Sequence, residues 1–141
     1  MPANIKSAVS FYPPPSALRQ YFTTFYHMEI AVPDGKWVED FVHPEWGGLR
    51  MIDGAPPDGE VLGGPSFSGI ANAGQGPTSK AVRFRIGTSR SWGIGILPAG
   101  WAKFINCPAN NLANTVFDAT TEPAFARLAP LMQTVFNPSY S

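Results

Sequence analysis

Cysteine is nearly missing from this chain: Cys107 is the sole one, so no internal disulfide forms, and the stapled scaffolds of oxidising compartments do not fit. Histidine is almost as scarce, with His27 and His43 on different expected strands and no His-x-His pair to start a metal site. Charge is sparse too. Charged residues make up 14% of the sequence, against roughly 25% in an average soluble protein. Ten basic side chains balance ten acidic ones, so the excess of Lys and Arg that neutralises nucleic-acid phosphates is absent. No apolar run approaches the ~20 residues that span a bilayer, and the N-terminus lacks an apolar core of signal-peptide length. A soluble cytoplasmic protein without membrane contact is the expectation.

Catalytic signatures fail on inspection. Gly93 and Gly95 open a dinucleotide fingerprint, but Pro98 occupies the third glycine position. Gly95 and Gly100 have phosphate-loop spacing, yet Trp101-Ala102 stand where Lys and then Ser or Thr must follow. There is no Gly-x-Ser-x-Gly elbow, and Cys107 precedes Pro108 without a catalytic-cysteine context, as an inert half-buried thiol would. The carboxylates Glu39, Asp40, Glu45 and Asp53 are too dispersed to argue an acid–base pair. His43 and Glu45 share one side of an extended segment, with no third ligand beside them. No catalytic residue, metal or cofactor is nominated.

What is abundant is apolar and punctuated. Hydrophobic residues reach 44% and aromatics 13%, while fourteen glycines and fifteen prolines are spread between short apolar runs. That texture reads as many short strands and turns in one domain over 1–141, with strands across about 25–97 and a helical segment across about 98–136. Ser16 caps an expected short helix ALRQYFTTF, and FYHMEIAV, WVEDFVHPEWGGLRMIDG, EVLGG and PSFSGIAN supply strands. Residues 81–104 form the clearest unit. Val82, Phe84 and Ile86 alternate with Arg83 and Arg85; Trp92, Ile94 and Ile96 then share one face, with Gly93 and Gly95 on the other. Two glycines on one strand face leave room for a backbone or a ligand to approach. Pro98-Ala99-Gly100 marks the corner where strands give way to helix. Pro130 divides the last helical stretch, Glu122 to Phe136.

Several segments follow one another in a recognisable order: Pro15 to Phe22 (PSALRQYF), His43-Pro44-Glu45-Trp46, Val82 to Arg85 (VRFR), Trp92 to Trp101 (WGIGILPAGW) and Pro108 to Leu112 (PANNL). Across residues ~11 to 135 the chain resembles the N-terminal sensor and dimerisation region of AraC/XylS-type bacterial transcription regulators. The resemblance implies a mainly β, cupin-like or jelly-roll barrel or sandwich with C-terminal helices that dimerise or connect to DNA-binding units. It implies a small-molecule effector, a homodimer, and DNA contact only through a helix-turn-helix region absent from this chain. The His-x-His…Glu…His set of metal-dependent cupins is missing, which points to a metal-free sensor. The candidate ligand-binding residues are His43, Glu45, Trp46, Arg50 and Trp92: two tryptophans for a small, partly aromatic or apolar ligand, an arginine for an anion, and the one polar pair. Two alternatives stand beside a non-enzymatic regulatory domain. One is a stand-alone metal-free cupin-like isomerase or epimerase using His43 and Glu45; the other is a dimerisation module without a ligand.

Overall fold

The computed structural model describes residues 5–137. The domain bounds 1–141 therefore run past the described residues at both ends. The strands are β1 (Lys6–Tyr12), β2 (Phe25–Ala31), β3 (Val38–Val42), β4 (Gly47–Gly54), β5 (Asp58–Val61), β6 (Ser66–Ser68), β7 (Asn72–Gln75), β8 (Val82–Ile86), β9 (Ser89–Ile96) and β10 (Val116–Asp118). Among the described residues, two short helices, α1 (Pro98–Phe104) and α2 (Ala129–Thr134), and three 3-10 turns complete the set of elements.

All pairings are antiparallel, in a six-stranded sheet ordered β1-β2-β9-β4-β7-β10 and a four-stranded sheet ordered β3-β8-β5-β6. From β2 to β9 the chain winds between the sheets, giving the double Greek key of a jelly roll, with β1 and β10 added at the edges of the larger sheet. The expected mainly β fold with C-terminal helices is thus the observed one.

The chemistry of the strands explains their faces. In β8, Val82 and Ile86 are buried, Phe84 is half-buried, and Arg83 and Arg85 are exposed. Those arginines pair across the outer surface with Glu39 and Glu60, and with Asp58, at 3.1–3.2 Å. The turn Pro33–Lys36 closes with Lys36 N–H donating to the Pro33 carbonyl at 3.0 Å, and Gly35 at φ 73° supplies the left-handed residue that turn requires.

Three layers result. The outer face of the large sheet carries Leu49, Met51, Ile94 and Ile96, buried beneath Trp101, Ile105, Ala124 and Phe125 of the helical layer. Phe125 is fully enclosed and meets Trp101 and Phe117 edge-on, with ring centroids 5.7 and 5.0 Å away. Pro98 opens α1, as expected of proline in a first turn. The Trp101 ring lies over Gly47, and its indole N–H donates to the Cys107 carbonyl at 2.8 Å. Between the sheets, Ile30, Val38, Ile52 and Ile86 close one end of the barrel.

Three expectations change. The helix expected after Ser16 shrinks to a 3-10 turn, Ser16–Leu18. The chain beyond it is drawn out against β9: Thr23 N–H donates to the Gly95 carbonyl, and Thr23 Oγ1 accepts from Gly95 N–H, both at 2.9 Å. Tertiary pairing overrides the helical spacing of the aromatics. Strand β1 lies before the expected strand region and β10 inside the expected helical one; each completes an edge of a sheet whose register the local pattern does not carry. The last stretch divides as expected near Pro130, but its first half, Pro123–Leu128, is 3-10 rather than α.

Candidate functional site

Strand β4 is buried on both faces, and its alternation decides the site. Leu49 and Met51 turn toward the helical layer, which leaves Arg50 facing the other sheet. Directly opposite Arg50 across the ladder is Gly93, and opposite Gly93 on the next strand is Tyr26. Because Gly93 has no side chain, the Tyr26 ring lies over it; a β-carbon there would fall within 3.0 Å of that ring. The phenol oxygen is thereby brought to Arg50, whose Nε donates to it at 2.7 Å. Gln75 on β7 is buried (2% exposed) and accepts from Arg50 Nη1 at 3.2 Å.

Glu45 closes the group. It lies in the short connection between β3 and β4, pinned by a reciprocal pair with Thr78: Glu45 N–H donates to Thr78 Oγ1 at 3.0 Å, and Thr78 N–H to the Glu45 carbonyl at 2.9 Å. Its carboxylate Oε1 accepts from Arg50 Nη2 at 2.7 Å and from Gln75 Nε2 at 3.2 Å. Two donors converge on one oxygen.

Below this pair is a cavity of about 90 Å³ between the sheets, walled by apolar side chains including Met28, Ile52, Phe67, Val82, Phe84 and Val116. A volume of that size holds about three waters. It lies well under the ~300–1,000 Å³ of drug-sized pockets. The Arg50 side chain is 28% exposed and that of its partner Glu45 38%, so the ion pair sits at the rim of the barrel. Burial works against its charge, but Tyr26 and Glu45 more than offset that, and its pKa moves above the usual arginine range. The cation is permanent.

Not all the candidate residues gather here. Arg50 lines the cavity and is ion-paired with Glu45. His43 is exposed on the connection between β3 and β4. Trp46 is 56% exposed and borders a separate concavity of about 630 Å³ between the large sheet and the helical layer, together with Trp101, Ile105 and Pro108. Trp92, one residue from Gly93, points through the opposite face of the sheet and packs between His27 and Tyr12 at 4.8 and 5.5 Å. The pairing of strands, invisible in any one segment, adds Tyr26 and Gln75. The glycine at 93 was the available signal, since an empty face on a strand asks for something to fill it.

The arrangement is a fixed cation with directed donors over an apolar hollow. Among the described residues, no three His, Cys, Asp or Glu side chains converge as a metal ion would need. Cys107 is half-buried, and burial, then the nearby Glu122 charge, push its thiol up. Among the described residues no helix is long and apolar enough to cross a membrane. No protein-family model, curated protein or solved structure matches this sequence.

Proposed function

We propose that this chain is the effector-sensing domain of an AraC/XylS-type transcription regulator, acting without catalysis and passing occupancy of its barrel to a DNA-binding part outside this chain. The observation that carries the reading is the apolar cavity lined in part by Arg50, Tyr26 and Gln75, with Glu45 bonded to the first and last of these, a binding surface with one oriented charge. The jelly-roll winding and the ordered motifs from Pro15 to Leu112 support it. The route outward is short. Glu45 holds Arg50, which lines the cavity, and two residues on Gly47 lies beneath the Trp101 ring of α1, so the 45–47 segment links a cavity residue to the helical layer.

The coding sequence downstream of Ser141 tests this. A helix-turn-helix region there, together with ligand-dependent DNA binding of the whole product, is the expected result; a product ending at Ser141 overturns the regulator reading. A second reading, a dimerisation module without ligand, draws on the smallness of the cavity and on β1. That strand ends the large sheet, all seven of its residues are exposed, and Phe11 is 67% exposed. Sedimentation of the purified chain separates the two. A concentration-independent monomer removes the second reading.

A further inference from the structure

We propose that the barrel mouth is a carboxylate subsite at present filled by the chain's own Glu45, and that the effector is a small monocarboxylate whose apolar tail enters the cavity. The inference rests on the sensing reading and names the chemical class of its ligand. Three observations carry it. Arg50 Nη2 and Gln75 Nε2 aim at a single carboxylate oxygen, an arrangement that selects an anion over a neutral acceptor. The carboxylate that fills it comes from an exposed connection and not from the barrel wall, so it leaves without breaking a strand ladder. Tyr26 and Gln75 hold the guanidinium from the protein side, so Arg50 stays aimed when Glu45 departs.

Size and charge then define the ligand. A cavity of about 90 Å³ takes a chain of a few carbons. Its walls offer Val82, Phe84 and Val116 to the tail, and expulsion of water from these apolar surfaces favours its entry. The incoming carboxylate replaces Glu45 at the same donors, so the cation is never left unpaired, which would otherwise be strongly destabilising. Released from Arg50, the Glu45 side chain is free to swing away, while its backbone stays bonded to Thr78 and Gly47 stays paired with Ile96 beneath Trp101. A ligand that binds only the Glu45-released state moves the equilibrium between states by its differential affinity.

Nuclear magnetic resonance on the purified chain tests the idea with butyrate and, as its neutral counterpart, 1-butanol. Butyrate is expected to shift the Arg50 Nε–Hε signal and the Val82 and Val116 methyls, and to bind at least tenfold tighter than 1-butanol. Glu45→Gln, which removes the competing charge, should tighten butyrate about tenfold. Arg50→Gln should bring butyrate down to the affinity of 1-butanol; should that variant not fold, the Arg50 signal of the natural chain still decides. Equal binding of the acid and the alcohol at the cavity methyls overturns the carboxylate subsite and leaves the sensing reading standing. No shift at any cavity methyl with either probe overturns both. Weaker butyrate binding in Glu45→Gln shows that Glu45 is part of the receptor, and likewise overturns the proposal.

Discussion

Gly93→Ala is the sharpest probe of how the site is built. The Tyr26 ring occupies the volume an alanine methyl would need, with its phenol carbon and hydroxyl nearest. The methyl must push that ring aside, and the ring cannot move without drawing its hydroxyl away from Arg50 Nε, now 2.7 Å distant. Overpacking of this kind costs about 1–3 kcal/mol. Losing a hydrogen bond to a charged group costs about 1.5–3 kcal/mol, part of which water recovers at this partly exposed position. The expected total is about 2–4 kcal/mol. For a chain of this length the unfolding entropy is about 0.3 kcal/mol per kelvin, so the melting temperature should fall by about 7–13 °C. The decisive comparison is a double-mutant cycle with Tyr26→Ala. Once the ring is gone, so are the three atoms nearest the new methyl, and alanine in a strand interior is roughly 0.5–1 kcal/mol better than glycine. The same substitution should therefore change sign, from destabilising to neutral or slightly stabilising, in urea denaturation monitored by circular dichroism. Equal costs in both backgrounds refute the claim that Gly93 exists to seat Tyr26.

Phe125→Ala removes a ring with no solvent exposure, wedged against Trp101 and Phe117, and should cost about 3–5 kcal/mol in the same assay. A loss under about 1 kcal/mol means the helical layer is not packed on the large sheet as described. Cys107 gives a pH signature. Its folded pKa is raised, so above the ordinary thiol pKa the unfolded chain has released a proton that the native state still holds. Stability should be unaffected by this group at neutral pH and fall as pH rises through the unfolded thiol value. Cys107→Ser should flatten that fall in urea midpoints measured from pH 8 to 10; parallel curves for the two proteins contradict the assignment. Trp46→Phe, at an exposed rim, should shift stability by no more than about 0.5 kcal/mol while visibly reducing acrylamide quenching of tryptophan emission. An unchanged quenching curve places Trp46 in a shielded position instead.

The layers of this protein were legible from local chemistry, because alternation is a property of a single strand. The Val82-Arg83-Phe84-Arg85-Ile86 run announces one buried and one wet face, and the fold keeps it so. Pro98-Ala99-Gly100 marks the turn from sheet to helix for a similarly local reason, since proline suits the first turn of a helix and not a paired strand. The aromatic run Leu18 to Phe25 misled, because its helical spacing competes with ladder bonds to Gly95 that lie 72 positions away.

The site divides the same way. Sequence alone determined that this chain has no internal disulfide, carries no phosphate-loop fingerprint or catalytic elbow, and is built of short apolar strands, one of them with glycines along one face; each follows from residue type and near-neighbour spacing. Only the tertiary structure decided that Arg50 meets Tyr26, Gln75 and Glu45, while Trp92, one step from Gly93, is turned through the sheet away from them. The physical reason is register. A strand's own pattern says which residues share a face, but which strand lies beside it, and at what offset, is fixed by hydrogen bonds between segments far apart in the chain.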